Sequence, residues 1–536
     1  MATVVIPPIK GAQPLLHKRL LSDGQAQEAV NCKFERGLLE GRRGTQQTTT
    51  AATTDRSIYR HGDLGWLKRS VPVNWTPSAV ASNVGHFFIT GDGYPKQRAT
   101  NLSERRLGIP RPSLPPTVTI NGSPGTDVVR TSSYVFTYVA NLGENGEQES
   151  APSPPTGVFD VKTGQTTRID SFAAPSCAGI VYDKIRIYRT VAGETSSNFY
   201  FVGEISKTVG FFDDYITNDE MSTDTLQTAT WDAPPDDATG MIYADSGLYA
   251  MHRKNELLLS EPYVPYAYPE GYRLSMADTI VSIGQFDGNI VVATTGRPYM
   301  VSGTAPEVMS MMHLPFEQAC VSRRSMVSVP NAVMYASPDG LCLVSASTQV
   351  VATREIFTKE QWAALGPSTL VAAYHEDKYV GFFSGTGKGI VLDVATRDVV
   401  TIDLCAGTAV WDVWHDAASD TLYILAVEAG VATVRQWESP NANPMAYRWR
   451  SKEFFTSIPV LPAAIRVEGE QTQGNPVTVR VYSGGILRHT ATIGDTKTRR
   501  LPIGRAEKAW ELELSGSAPV SEVRVSTSVE ELENGV

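Results

Sequence analysis

From about Gly240 onward, short apolar, β-branched runs alternate with polar turns, and one unit recurs: run, tight turn, run, turn, run. The first copy, MIYADSGLYAMHRKNELLLSE, turns at Asp245-Ser246-Gly247 and Arg253-Lys254-Asn255. The second, IVSIGQFDGNIVVATTGRPYMVSG, turns at Asp287-Gly288 and Thr295-Gly296. The third is SMVSVPNAVMYASPDGLCLVS, with turns at Pro330-Asn331 and Asp339-Gly340; the fourth is LVAAYHEDKYVGFFSGTGKGIVLDV, with turns at Glu376-Asp377 and Gly385 to Gly389. The fifth is AVWDVWHDAASDTLYILAVEAGVATVRQWE. Measured between first turns (Ser246, Asp287, Asn331, Asp377, Ala418), the spacings are 41, 44, 46 and 41 residues. Three or four short strands per unit at this period, with little helix, predict the blades of a β-propeller. A lone meander leaves two apolar faces uncovered, and radial packing covers both. Ser78 to Thr100 fits the same template, with turns near Asn83 and Gly91 to Gly93, and is expected to be a sixth blade.

Two stretches have a different texture. Between the Pro-rich edges PRPSLPP and APSPP and on to about residue 225, apolar runs at Tyr134 to Ala140, Asp183 to Thr190 and Asn198 to Val202 are separated by a loop at Glu144 to Ser150. About 100 residues of this kind predict an immunoglobulin- or fibronectin-III-like sandwich inserted into the propeller. After Pro444, runs at Ala463 to Val467, Val477 to Tyr482, Leu487 to Ile493, Trp510 to Leu514 and Val520 to Ser526 predict a second sandwich, followed by an acidic tail at Glu530 to Val536. The expected fold is therefore all-β. Its expected organisation is an N-terminal arm with the first blade (1–110), the inserted sandwich (111–225), the main blades (226–445) and the C-terminal sandwich with its tail (446–536). One helix is predicted, Thr358 to Leu365, from the T-x-x-Q capping box of Thr358 and Gln361 and the stop at Gly366. Its apolar Trp362, Ala363 and Leu365 are expected to pack on a blade.

Length and composition narrow the classes. At 536 residues the chain accommodates three to five domains or one large repeat body. Charged residues are 19% of the chain, with 44 Gly and 33 Pro, which excludes a disordered or collagen-like polypeptide. Nothing approaches the ~18–20 consecutive apolar residues of a bilayer span, so no membrane span is expected. Met1 to Lys10 lacks the charged and apolar regions of a secretory signal.

Net charge is −10, unevenly divided. Residues 1–110 hold 15 Lys and Arg against 8 Asp and Glu, a net of +7, and the remainder carries −17. An acidic body argues against tight nucleic-acid binding, which draws on Lys and Arg at phosphates.

Catalytic and metal-binding patterns are sparse. Five cysteines, Cys32, Cys177, Cys320, Cys342 and Cys405, include no C-x-x-C pair, and eight histidines include no H-x-x-x-H pair. On spacing, then, neither a zinc ribbon nor a helical zinc site is expected. Gly385-Thr386-Gly387-Lys388-Gly389 lacks Walker A spacing and lies between two strands, so a hairpin turn is expected. No G-x-S-x-G elbow is present. Glycosidases need two carboxyl groups about 5–9 Å apart, for which Asp213, Asp214, Asp219, Glu220, Asp236 and Asp237 are candidates. A solvated linker is the simpler expectation for them, and a calcium site of oxygen ligands the alternative. The aromatic stretch SEPYVPYAYPEGY (Ser260 to Tyr272) suits either a sugar-stacking patch or a packed inter-blade loop. In AVWDVWHD, period two places Trp411 on one face of a blade strand. No catalytic centre, cofactor or structural metal is expected.

Certain strings carry a family resemblance. SEPYVPYAYPEGY, TGRPYMVSGTAPEVMSMMHLPFEQACVSRRSMV, YASPDGLCLVS, FTKEQWAAL, HEDKYVGFF and YRWRSKEF follow one another, after an opening EAVNCKFERGLLEGRRG. In this the chain resembles virion tail proteins of short-tailed bacteriophages, over most of its length and most loosely in the two sandwiches. The resemblance implies a tail nozzle, also called a tail tubular or DNA-stabilisation protein. It would be a propeller-based homo-oligomer, a hexamer, forming a ring below the portal and head-to-tail adaptor. It would also meet tail fibre or spike proteins and pass genomic DNA without sequence-specific binding. Such a protein is assembled in the host cytoplasm and resides in the virion tail. Arg42, Arg43, Arg105 and Arg106 in the basic N-terminal region would be the contacts to an acidic adaptor surface. Two other classes stand beside it: a tail-associated propeller that binds or cleaves host surface glycans, and a free cellular propeller serving as an interaction scaffold.

Overall fold

The computed structural model describes residues 4–6, 10–79, 85–191, 198–502 and 504–533; the turn expected near Asn83 and the end of the acidic tail lie outside them. Six antiparallel four-stranded blades stand around one axis. Blade one comprises Asn74–Pro77, Phe87–Thr90, Lys96–Ala99 and Leu102–Arg106. Blade two runs from Thr239–Tyr243 to Leu274–Ser275, blade three from Ile280–Phe286 to Ser310–His313, and blade four from Val327–Val329 to Gln349–Val351. Blade five holds Leu370–His375, Lys378–Phe383, Lys388–Asp393 and Val399–Asp403. Blade six holds Thr408–Asp416, Thr421–Glu428 and Val431–Gln436, with a fourth strand from far upstream.

Burial explains the sequence pattern. The second strand of a blade is covered on both faces by its neighbours, so Asn289–Thr294 and Ala332–Ser337 read as nearly continuous apolar runs. Tyr335 and Val333 pack with Phe286 and Val291 between blades three and four, while Ile290 and Val292 pack with Ala250 and Leu257 between two and three. An outer strand such as Ser310–His313 is exposed throughout. Turn chemistry sets the register: Asp287 and Gly288 both take left-handed φ (45° and 74°), the conformation that a two-residue hairpin of this hand requires. The helix is Lys359–Leu365, with the Thr358–Gln361 capping box formed and Gly366 left-handed. Its Trp362 is buried and donates Nε1–H to the Ser337 carbonyl at 2.8 Å, fixing the helix on blade four.

The stretch before blade one, expected as an arm, is instead distributed through the body. Gln46–Ala51 pairs antiparallel with Val431–Gln436, from Gln46 opposite Gln436 to Ala51 opposite Ala432, and so completes blade six. Ser57–His61 and Gly65–Arg69 form a two-stranded hairpin that fills a seventh place in the ring, between blades six and one. Tyr59 of that hairpin stacks on Trp75 (5.2 Å) and meets Trp414 edge-on (4.8 Å), so one aromatic cluster spans three units. Ala26–Val30 bridges Val399–Asp403 of blade five to Tyr447–Ser451, the first strand of the C-terminal sandwich. Propeller and sandwich thus share one continuous ten-stranded sheet.

That sheet continues through Glu507–Gly516, Val477–Ser483 and Ile486–Ile493, and faces a four-stranded sheet built on Val520–Ser526 and Ala464–Gly469. Trp449, Val479, Leu512, Val467 and Val523 fill the space between them. The segment read as a tail forms a short helix, Val529–Glu533, with Leu532 buried.

The insertion after blade one is a sandwich of a four-stranded sheet (Tyr134–Asn141, Glu147–Glu149, Lys184–Thr190, Phe199–Ser206) against smaller sheets of three and two strands. Glu147–Glu149 pairs within the stretch expected to be a loop. The insertion is keyed to blade one: Gln97 donates to Gln148 Oε1 at 2.9 Å in a buried contact, and Arg106 N–H bonds the Gly179 carbonyl. Gly179 has a left-handed φ of 77°, and a Cβ there would collide with the Tyr94 ring of blade one. At its centre lies Asp214, fully buried, paired with Arg189 and accepting from Tyr134 Oη–H at 2.5 Å. Arg130 bonds the Asp214 carbonyl oxygen at 3.1 Å and the Thr167 hydroxyl at 2.8 Å. Burial, then the Asp214 carboxylate, push the Tyr134 phenol well above its ordinary range.

Two outcomes follow for these long-range ties. Deleting residues 1–51 is expected to abolish cooperative thermal unfolding; a truncated chain melting within a few degrees of the intact one would count against ring closure by the N-terminal strand. Asp214→Asn leaves Arg189 uncompensated, which costs about 3–5 kcal/mol for a buried pair. Hydrogen exchange should accelerate in Tyr134–Asn141 and Lys184–Thr190 while the propeller strands keep their protection.

Candidate functional site

The first strands of the blades surround an axial cavity of about 230 Å³. Ser57, Trp75, Ile242, Ser282, Ala372 and Asp412 are among its lining, so the hairpin and blades one, two, three, five and six all reach it. Two consecutive arginines from the turn entering blade four, Arg323 and Arg324, reach across this space to adjoining units of the ring. Arg323 donates to the Pro72 carbonyl (3.1 Å) and to the Thr239 hydroxyl (3.2 Å), toward blades one and two. Arg324 donates to the carbonyls of Arg56 (3.3 Å) and Trp411 (3.2 Å) and pairs with Asp412, toward the hairpin and blade six.

Asp412 is satisfied on its other side, where Oδ2 accepts the Ile58 N–H at 2.7 Å. Burial, then the neighbouring Arg323, pull Arg324 down to about 10, so it remains charged at neutral pH. Burial and the Arg323 charge likewise hold His252 of blade two at about 4, so that its ring is neutral. Two adjacent guanidinium groups anchored on four consecutive units are a mechanical hub. They present no nucleophile beside a base and no pair of convergent carboxylates.

A second cavity, about 530 Å³, lies between blades five and six and the C-terminal sandwich. Lys33, His375, Asp420, Glu438 and Asn475 are among the residues lining it. Here the basic N-terminal segment meets acids of the body: Lys33 and Arg42 both hold the carboxylate of Glu438, pulling it below its usual value against the cost of burial. Nearby, Lys18 and Arg19 hold Glu453, and Lys18 also holds Glu511. The charge division along the sequence is thus partly an intrachain complementarity.

Of the four arginines expected at an adaptor surface, Arg42 is buried against Glu438, and Arg106 is buried beneath Tyr94 and paired with Asp236. Arg43 is exposed and bonds the Pro440 carbonyl at 2.8 Å; Arg105 is half-buried on blade one. Arg42 and Arg43 lie beside the second cavity and Arg105 and Arg106 on blade one, so the structure does not assemble them into one patch.

The six candidate acids are likewise dispersed. Asp214 is a core residue, not part of a solvated linker, and its neighbour Asp213 faces the other way onto Arg168 (2.7 Å). Asp236 pairs with Arg106, and Asp237 with Arg253 at 3.0 Å. In the aromatic stretch, Tyr268 is buried with Phe88 and Leu107, Tyr272 bonds Glu261 and Glu307, and Tyr263 stands exposed. That is a packed inter-blade loop. Gly385 to Gly389 forms a hairpin turn whose Gly385 N–H bonds the Val410 carbonyl of blade six at 2.8 Å.

One group of metal-ligating atoms does come together: His375, His415 and Asp420, within 4.8 Å of one another. Spacing along the chain hid it, because the two histidines end strands of different blades.

No family model matches the sequence, and no curated protein matches it. Among solved structures the chain is similar to Kluyveromyces marxianus Hsv2 (8% identity, 49% of this chain and 69% of that one, TM-score 0.26). It is similar also to a streptogramin B lyase (9% identity, 60% and 97%, TM-score 0.27). A catalytically inactive virginiamycin B lyase from Staphylococcus aureus stands at 9% identity, 60% and 99%, TM-score 0.27. These scores are low and say nothing of activity; the blade sheets themselves establish the propeller. No helix among the described residues is long and apolar enough to cross a membrane.

The hub is testable by a double-mutant cycle. Asp412→Ala should destabilise the folded chain by about 3–5 kcal/mol by stranding Arg324. With Arg324→Met as the other single change, the Asp412→Ala/Arg324→Met pair should cost less than the sum of the two single changes. Additive losses in urea unfolding would mean the two side chains are not coupled.

Proposed function

We propose that this chain is a structural subunit of a bacteriophage tail nozzle, a ring below the portal and adaptor that retains packaged DNA and then serves as its exit conduit. The reading rests on the strings that resemble short-tailed phage tail proteins, several of which fall on joints of the body. VSRRSMV contains the Arg323–Arg324 hub, FTKEQWAAL is the capped helix under blade four, and EAVNCKF and YRWRSKEF contain the paired strands that fuse propeller to sandwich. That some of these strings build the joints supports a mechanical role.

The axial cavity adds a constraint. At about 230 Å³ and bridged by two arginines, it cannot admit a duplex whose major groove alone is about 12 Å wide. DNA would therefore run between copies of the chain, along outer surfaces. Residues 111–536 carry −17, and several basic residues of the first 110 are neutralised inside the body. A negative or neutral wall releases no counterions from DNA and so adds no friction. Adaptor and fibre contacts then fall to other surfaces than Arg42 and Arg106.

Mixing the purified chain with DNA-filled particles lacking their nozzle is the direct test. Electron microscopy should show six copies in a ring at the portal vertex, with DNA retained and a bore free of any continuous Lys/Arg belt. A chain that remains monomeric, leaves the vertex bare and releases sugar from host envelope material would establish the glycan-directed alternative.

A further inference from the structure

The hairpins of blades five and six meet at the mouth of the 530 Å³ cavity. His375 closes the strand Leu370–His375, and His415 lies one residue before the end of Thr408–Asp416. Asp420 follows in the second hairpin with a left-handed φ of 46°, a conformation costly for a residue with a side chain. The turn brings its carboxylate onto the two rings: Oδ1 lies 3.0 Å from His415 Nε2 and 3.8 Å from His375 Nδ1. The imidazoles are 5.3 Å apart between centroids.

From these atoms we infer a binding site for a late first-row divalent cation of the Zn²⁺ class, held by His375, His415 and Asp420. Metal–nitrogen and metal–oxygen bonds of about 2.0–2.2 Å in a tetrahedron separate neighbouring ligand atoms by about 3.3 Å. The two distances to Oδ1 bracket that figure and all three ligand atoms lie within 4.8 Å of one another, so rotations of the rings and the carboxylate would draw them onto one ion. A second observation points the same way: His375 Nδ1 is buried and lacks a hydrogen-bond partner, although the Asp420 oxygen is its neighbour. An imidazole–imidazole–carboxylate set suits Zn²⁺, Co²⁺ or Ni²⁺ over Mg²⁺ or Ca²⁺, which prefer all-oxygen shells. Three protein ligands leave a fourth position, and Asp420 is exposed, so this position faces solvent and takes water. Bound there, the ion would tie the blade five and blade six hairpins together beside the ring's closing joint.

Isothermal titration of the full-length protein with ZnCl₂ after EDTA treatment tests this, with Co²⁺ absorption as a second readout. Expected is one Zn²⁺ per chain with Kd in the micromolar range or below, and intense visible Co²⁺ bands of a tetrahedral site. Binding should weaken at least tenfold in His375→Ala, in His415→Ala and in Asp420→Asn, and millimolar Mg²⁺ should not compete. Circular dichroism should show the variants folded; Asp420→Asn, on an exposed turn, guards against misfolding of the two strand-end histidine variants. Equal Zn²⁺ binding by the wild type and the His375→Ala/His415→Ala pair, or no binding by the wild type, would overturn the site.

Discussion

The whole body depends on a strand that arrives from the wrong end of the chain. Blade six has three strands of its own, and the fourth, Gln46–Ala51, lies almost 400 residues upstream. A blade left short of its outer strand exposes an unpaired edge, so the ring closes only when this strand arrives. Closing so long a loop costs more entropy than a local contact, but the increment grows only logarithmically with length. Several further contacts share that cost. Ala26–Val30 joins blade five to the C-terminal sandwich, and Lys18, Arg19, Lys33 and Arg42 grip acids from residues 438 to 511. Such topology folds slowly, because none of these contacts forms before the body is nearly complete.

The hub acts against collapse from the opposite direction. First strands converge on an axis where apolar side chains cannot fill the space evenly, and polar backbone groups of the hairpin and blades one and six face inward. Arg323 and Arg324 satisfy the carbonyls of Pro72, Arg56 and Trp411 at once. Asp412 balances one charge and caps the Ile58 N–H. Planar guanidinium forks reach several acceptors with little loss of freedom per bond, which a lysine would not match.

Buried charge in the inserted sandwich shows how far an acidic run can mislead. Asp213 and Asp214 are adjacent, so strand alternation sends one to solvent and the other to the core. Asp214 then organises Arg189, Arg130 and Tyr134 into one network. The insertion docks on blade one through Gln97, Gln148 and the bare backbone of Gly179, where a side chain would meet the Tyr94 ring.

Period and turn chemistry were legible in the sequence because they are local. The 41–46 residue recurrence, Asp287-Gly288 and the Thr358–Gln361 box each act within a few residues, and the all-β propeller with its sandwich insertion and C-terminal sandwich follows from them. The closing strand QQTTTA was not legible: it is polar, mostly exposed, and earns its place by backbone pairing alone. Nor was the hairpin Ser57–Arg69, which stands alone without the period of a full blade. Arg323-Arg324 reads as an ordinary basic turn until other units of the ring supply acceptors. His375 lies 40 residues from His415 along the chain, one blade length, so only the ring brings them to one carboxylate. Local pattern determined what each segment becomes. Which segments touch was decided by closing the circle, since every such contact joins residues whose pairing leaves no trace in either one's neighbourhood.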